Sequence, residues 1–411
     1  MLKRIIIENY RSCLLTSIDL HPNLSVLIGP NNSGKTNILQ AIMFLNKLAQ
    51  EREYRARRRD ASPLSSRIKA IFENGQTQIR LNASIDFYTD ESNNDLVLAS
   101  KQKWQFKKQG GRHSSFEIPL AMASQSLSHG IAFPHFRSLY EIYPNKLVRL
   151  PPNVPSWTWR ALSGVAGYCG GIRYYGASQF TNPGTCPASF EIEQEGKRPL
   201  LFRPRGHTKI LYSMYSAKKA ESNHRYKEFL DVVGPRGLKL IDDLTFREVT
   251  TSSSDYSVRV GGKVEVRRRH NLLVIPQFRI GRQKLSPNQL SEGTFKTLAL
   301  LFHVISEKSN ALLIEEPEVC VHHGLLSSIL ELIKSASRKK QMIISTHSDY
   351  VLDRVKPENV YRVTFDSSVG TVVRHIPKTM TAKELVALRE YLDQEGNLGE
   401  YWREGGLGDR P

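Results

Sequence analysis

The chain has 411 residues, enough for one large domain with insertions or two to three smaller ones, and its 40% hydrophobic and 24% charged residues are ordinary for a globular protein. Its 58 Lys plus Arg against 40 Asp plus Glu leave a formal charge of +18, which favours polyanionic partners without specifying one. The unpaired spacing of Cys13, Cys169, Cys186 and Cys320 argues against a disulfide framework and a zinc site, and no apolar run suits a signal peptide or a membrane span, so a soluble cytoplasmic protein is expected.

In chain order, the β-branched run at 3–7 reads as a strand, and "NLSVLIG" at 23–29 as another. After Lys35, Ile38, Leu39, Ile42 and Leu45 recur at helical spacing. A basic cluster and Pro63 then end the helix in a polar connector. Alternating runs at 78–88 and 103–108 read as strands within an irregular insertion, and the proline-interrupted stretch 126–163 has no readable pattern. Regular structure resumes with a strand at 171–178, helices within 210–233, and short strands at 244–249, 256–260, 263–268 and 272–278. A helix at 295–304, a strand at 311–316, a helix at 324–337, and strands at 341–345, 360–365 and 371–376 complete an alternating pattern. That pattern predicts an α/β fold with a mostly parallel sheet flanked by helices. No heptad run is long enough for a coiled-coil arm.

Four motifs carry chemistry. "GPNNSGKT" stands between a strand and a helix, the context a phosphate-binding loop requires. Gly29 and Gly34 permit the tight backbone, and the amides of Asn31, Asn32, Ser33, Gly34, Lys35 and Thr36 can face phosphates. Lys35 reaches the β/γ oxygens, Thr36 meets Mg²⁺, and Asn37 completes the candidate contacts to ATP. "ALLIEEPE" is an apolar strand ending in two carboxylates: Glu315 to hold Mg²⁺ or its water, Glu316 to polarise the attacking water. In "NQLSEGTFKTLALL", Ser291, Glu292 and Gly293 precede a helix, where a serine caps the end and can bind an anion. His347 in "QMIISTHSDYVLD" ends a strand, where an imidazole can donate to a γ-phosphate oxygen.

Taken in order, these motifs resemble the ATP-binding cassette heads of the chromosome-maintenance, double-strand-break-repair and RecF ATPases. The resemblance implies an ATP-driven dimerisation switch with an antiparallel β subdomain, in which Arg11 of "NYRSC" contacts phosphate, Ser291 and Gly293 grip the γ-phosphate of the opposite subunit, His347 is the switch histidine, and Gln179 in "YYGASQF" supplies the glutamine of the metal shell. "IEEPE", "LSEGT", "STHSDYVLD" and "NLGEYWREGGLG" narrow it to the predicted ATPases related to the overcoming-lysogenisation-defect (OLD) proteins. Many of these end in a TOPRIM nuclease domain. The stretch after His347 lacks its Glu plus Asp-x-Asp constellation, and "CVHHG" departs from the Leu-His-Pro usual after the carboxylates, which leaves the roles of His322 and His323 open.

The division expected on this basis is residues 1–50 for the first part of the head, 51–170 for strands and an irregular insertion, and 171–411 for the remainder. The resemblance further implies the sensor or scaffold ATPase of an anti-phage defence system, a homo-oligomer that holds a separate effector such as a nuclease. The alternative is a RecF-like DNA-binding ATPase. It draws on basic clusters at Arg55, Arg57, Arg58 and Arg59, at Arg203 and Arg205, at Arg267, Arg268 and Arg269, and at Arg338, Lys339 and Lys340, each of which also suits a solvated face.

Overall fold

The computed structural model describes residues 1–49, 55–56, 66–74, 77–89, 96–108, 113–118, 157–195, 198–199, 206–258, 264–306, 308–319, 321, 323–394 and 396–407. They fall into two compact units, one of Met1–Tyr174, Lys308–Glu318 and Leu330–Pro411, the other of Tyr175–Glu307 and Val319–Ile329.

In the first unit, β1 (Leu2–Tyr10) pairs antiparallel with β2 (Cys13–Asp19) and with β5 (Ser66–Asn74). The sheet order is β2-β1-β5-β6-β7-β4, where β4 is Arg55–Ala56, β6 Thr77–Thr89 and β7 Leu96–Lys108, and β8 (His113–Ile118) adds to β7. Period-2 patterning explains it: Ile68, Ala70, Phe72, Ile79, Leu81 and Ala83 are buried, while Arg67 and Arg80 between them are exposed. The strands expected at 78–88 and 103–108 lie in β6 and β7. Strands β5 to β8 extend the sheet that β1 begins, and the compact units divide at Tyr174 and Tyr175.

The mostly parallel sheet expected from the alternating pattern is present, with order β18-β17-β3-β16-β15-β9. Here β3 is Leu24–Ile28, β9 Ile172–Gly176, β15 Ala311–Glu315, β16 Gln341–Thr346, β17 Val360–Asp366 and β18 Gly370–His375. Strands β17, β3, β16 and β15 run parallel, and β18 turns back antiparallel on β17. Every residue of β3 and β16 is buried, as strands covered on both faces require. The register pairs Ile28 with Thr346 and Glu315 with Ser345, so β3, β16 and β15 end in line. The carboxyl edge of such a sheet is where ligands bind.

Helix α1 (Lys35–Ala49) buries Ile38, Leu39, Ala41, Ile42, Phe44 and Leu45 in a core shared with β1, β5, β6 and α2 (Trp157–Gly170). Asn46 Nδ2 reaches the carbonyls of Cys169 and Gly170 at 3.0 Å, groups that the end of α2 leaves without a helical partner.

In the second unit, β10 (Phe190–Glu195), β11 (Arg198–Pro199), β12 (Asp243–Val258), β13 (Val264–Ile280) and β14 (Gln283–Leu285) form the expected antiparallel sheet. The four short strands expected between 244 and 278 are halves of two long ones, β12 and β13, paired from Asp243 with Arg279 to Val258 with Val264. Local alternation cannot report that two runs continue one strand. Helices α3 (Gly206–Lys219), α4 (His224–Val233) and α5 (Glu292–Ile305) belong to this unit, and α6 (His323–Ser337) starts in it and ends in the first. The longest helices described, α1 and α6, have 15 residues each, so no coiled-coil arm stands among the described residues. Among the described residues no helix is long and apolar enough to cross a membrane.

Candidate functional site

The loop after β3 takes backbone forms that its glycines permit. Gly29 has φ 154° and Gly34 φ 102°, and a Cβ on Gly29 would stand 2.1 Å from Val363 O, one on Gly34 2.0 Å from Thr371 Oγ1. Asn32 adopts φ 66°, a left-handed form that asparagine tolerates. Lys35 is buried, and its Nζ donates to Gly29 O at 2.7 Å and Pro30 O at 2.8 Å. Burial lowers its pKa, opposed by Glu316, Glu318 and Glu315. Ser33 Oγ is buried and has no hydrogen-bond partner among the described residues. A cradle with a cation folded back onto carbonyls and an orphaned hydroxyl fits a phosphate chain.

The carboxylates of "IEEPE" take three different environments. Glu315 receives hydrogen bonds on both oxygens, from Thr36 Oγ1 on Oε1 and from the Tyr174 hydroxyl on Oε2. Glu316 turns out of the strand at φ 48°, its amide donating to Ser345 O at 2.9 Å. His347 Nδ1 lies 3.4 Å from Glu316 Oε1 and 3.6 Å from Glu318 Oε1. Glu318 is largely buried, and its Oε1 accepts from Thr346 Oγ1 at 2.6 Å and from the His347 amide at 3.2 Å. Burial raises its pKa. Thr36 Oγ1 and the Glu315 carboxylate are hard oxygen donors of the kind Mg²⁺ takes from a protein beside substrate phosphates, so this pair fits that ion.

Arg11 lies at the β1–β2 turn with φ 52°, and its Nη1 donates to Asn37 Oδ1 at 3.3 Å and to Gln40 Oε1. Asn37 Nδ2 in turn donates to Ser12 Oγ at 2.6 Å, which meets Thr371 Oγ1 at 2.7 Å. The first unit therefore brings together the loop from Gly29 to Asn37, Glu315, Glu316 and His347 along the edge of the six-stranded sheet, and Arg11 reaches Asn37 from the turn of the other sheet.

Ser291, Gly293 and Gln179 belong to the second unit. Ser291 caps α5, its side chain accepting from the Thr294 amide at 3.2 Å, as the sequence predicts. The expected helix start moves from Phe295 back to Glu292, whose carboxylate pairs with buried Lys296 Nζ at 2.6 Å and accepts from the Asn182 amide at 3.2 Å. Gln179 is exposed in a one-turn helix that follows β9. His322 and Cys320 lie outside the described residues, as do Arg57, Arg58, Arg59, Arg203 and Arg205. Arg338 and Lys339 are exposed after α6.

Two residues of the site escaped the motif reading. Glu318 stands inside a quoted motif, but only its burial shows that it is not a solvated strand-end charge. Tyr174 belongs to "IRYYG", where nothing but strand pattern is visible.

The chain is 24% identical over 93% of its length to "Old nuclease" of Escherichia phage P2 and spans 61% of that protein. It is 28% identical to "DNA replication and repair protein RecF" of Shewanella halifaxensis, over 30% of this chain and 41% of that protein. Among solved structures, "SMC head domain from Thermotoga maritima" covers 91% of this chain and 98% of its own at 13% identity, with a TM-score of 0.40. Residues 24–353, most of the chain, match the family model described as "AAA domain, putative AbiEii toxin, Type IV TA system", and the chain belongs to that family.

Proposed function

We propose that this protein binds and hydrolyses ATP with Mg²⁺ and works as an association switch between copies of itself. The observation that carries the reading is the convergence, at the ends of three aligned strands, of the glycine loop, the Thr36–Glu315 bond and the Glu316–His347 pair. In this reading Lys35 releases the carbonyls of Gly29 and Pro30 for phosphate oxygens. The amides from Asn31 to Thr36, with Asn37 and Arg11, orient the nucleotide. Glu316 polarises the attacking water, and His347 donates to the γ-phosphate. Mg²⁺, held through Thr36 and Glu315, would neutralise charge on the phosphate oxygens. Ser291 and Gly293 of a second copy complete the site, and Gln179 joins the metal shell.

The family's description as a toxin system and the likeness to Old nuclease support a role in bacterial anti-phage defence, in which the nucleotide state holds or releases a separate effector such as a nuclease. The test is light scattering of Glu316→Gln protein with ATP and Mg²⁺, purified from its native gene neighbourhood, with identification of whatever co-purifies. A larger assembly with a second polypeptide in fixed ratio, lost in Lys35→Ala, is expected. A monomer in both variants would sink the switch.

A second reading, a DNA-binding ATPase of the RecF kind, is favoured by the +18 charge. It requires DNA affinity that falls steeply with salt and DNA-stimulated hydrolysis. Bound nucleic acid without a protein partner would move the assignment there.

A further inference from the structure

β9 lies at the edge of the six-stranded sheet, next to β15, which ends in Glu315. Tyr174 on β9 packs its half-buried ring against the core that contains Ile38, Ile42, Leu313 and Ile343, so its hydroxyl has little freedom to move. That hydroxyl donates to Glu315 Oε2, while Thr36 Oγ1 donates to Oε1 of the same carboxylate.

The two donors are not equivalent. Thr36 is itself a candidate metal ligand, and its hydroxyl oxygen can turn a lone pair to a cation, which leaves Oε1 available. Tyr174 has no second task among the described groups. A phenol hydroxyl is protonated at neutral pH and donates its proton to a carboxylate oxygen. Oε2 therefore remains occupied while Oε1 can be released.

We propose that Tyr174 is a positioning and specificity-determining residue: by occupying Glu315 Oε2 it presents the carboxylate through one oxygen only, which selects Mg²⁺ over Ca²⁺. The physical reason is coordination geometry. Mg²⁺ demands a near-octahedral shell at about 2.1 Å and takes few protein oxygens, whereas Ca²⁺ accepts bidentate carboxylates and six to eight ligands at about 2.3 to 2.6 Å. A carboxylate oxygen that accepts the Tyr174 hydrogen bond has one lone pair and one direction already taken, which disfavours the bidentate grip. Partners that orient a ligating group typically govern metal affinity by 10- to 100-fold.

The inference rests on the reading of this site as one for nucleotide and Mg²⁺, and the experiment separates the two. A fluorescent ATP analogue is titrated into wild-type, Tyr174→Phe and Tyr174→His protein with Mg²⁺, with Ca²⁺ and with EDTA, and melting temperatures are recorded alongside. For Tyr174→Phe the Mg²⁺ half-saturation is expected to rise about tenfold. Its Ca²⁺ half-saturation should hold or fall, and its metal-free nucleotide affinity should not change. Tyr174→His, which keeps an N–H donor, is expected to retain most of the discrimination. Half-saturations equal to wild type in Tyr174→Phe, both metals weakened in proportion with a lower melting temperature, or a His variant as relaxed as the Phe variant would each overturn the proposal while leaving the site's reading in place. A wild-type protein with no metal-dependent nucleotide binding would overturn both.

Discussion

Thr36, in the first turn of α1, donates its hydroxyl to Glu315, which lies 279 residues further along the chain at the end of β15. The two meet because β3, which delivers the glycine loop to α1, and β15 both flank β16 in parallel register, so their ends project from the same edge two strand spacings apart. On the proposed reading, this carboxylate and hydroxyl share the Mg²⁺.

Glu316 should be the residue on which hydrolysis depends. Its left-handed backbone and the bond from its amide to Ser345 hold it beside His347. Glu316→Gln keeps shape but cannot polarise water, so phosphate release should fall by roughly 10²- to 10⁴-fold while nucleotide affinity stays near wild type. Steady-state turnover and equilibrium binding measure the two separately, and wild-type turnover would remove Glu316 from its role.

Lys35→Ala should act on binding instead. On the proposed reading, the ammonium now bonded to Gly29 O and Pro30 O turns to the β/γ-phosphates. Loss of a charged hydrogen bond of about 2 kcal/mol predicts a nucleotide affinity lower by more than about tenfold, read by calorimetry.

Gly29→Ala should damage the loop itself. At φ 154° with Val363 O in the space of a Cβ, an alanine there forces the backbone off β17. A cost of about 1–3 kcal/mol is expected, seen as a lower melting temperature together with lost nucleotide binding. Intact binding would show that the loop tolerates a different path.

Gln341 should carry stability far from the chemistry. Buried at the start of β16, its Nε2 donates to Leu2 O and His21 O, each at 2.9 Å, and its Oε1 accepts from the Leu2 amide at 3.3 Å and from the Tyr168 hydroxyl. Gln341→Leu leaves several of these groups buried and unpaired, so a loss of about 2–4 kcal/mol is expected in denaturant unfolding, with little change in ATP turnover per folded molecule.

Glu318 should make stability depend on pH. Burial raises its pKa above the ordinary 4.5, against the lowering influence of Thr346 and His347. A raised carboxyl pKa means that the folded state prefers the protonated form. This contribution is full below the ordinary value and is lost as pH climbs through the raised one. Glu318→Gln, neutral at every pH, should match wild type near pH 4 and gain melting temperature relative to it as pH rises above that value. A difference that stays constant with pH would contradict the assignment.

Much of the site was legible locally. The spacing of Gly29, Gly34 and Lys35 between an apolar strand and a helix reflects backbone forms that few sequences allow, and Ser291 caps α5 for reasons contained within four residues. By contrast, the place of β5 to β8 in the sheet was not legible, because alternation shows which face of a strand is buried but not which strand it pairs with. The pairing of Ile5 with Ala70 is a long-range choice made by the shared core.

The glycine loop, the strand-end carboxylates, the strand-end histidine and the alternating α/β pattern can be read from the residues alone, because each is written in neighbouring residues whose dihedral preferences and polarity act over one or two turns. It takes the folded chain to settle which oxygen of Glu315 meets Thr36 and which meets Tyr174, a residue 141 positions away, and that Glu318 is buried against the His347 amide. Hydrogen-bond partners and dielectric surroundings are set by packing between strands distant in sequence, and no local pattern encodes them.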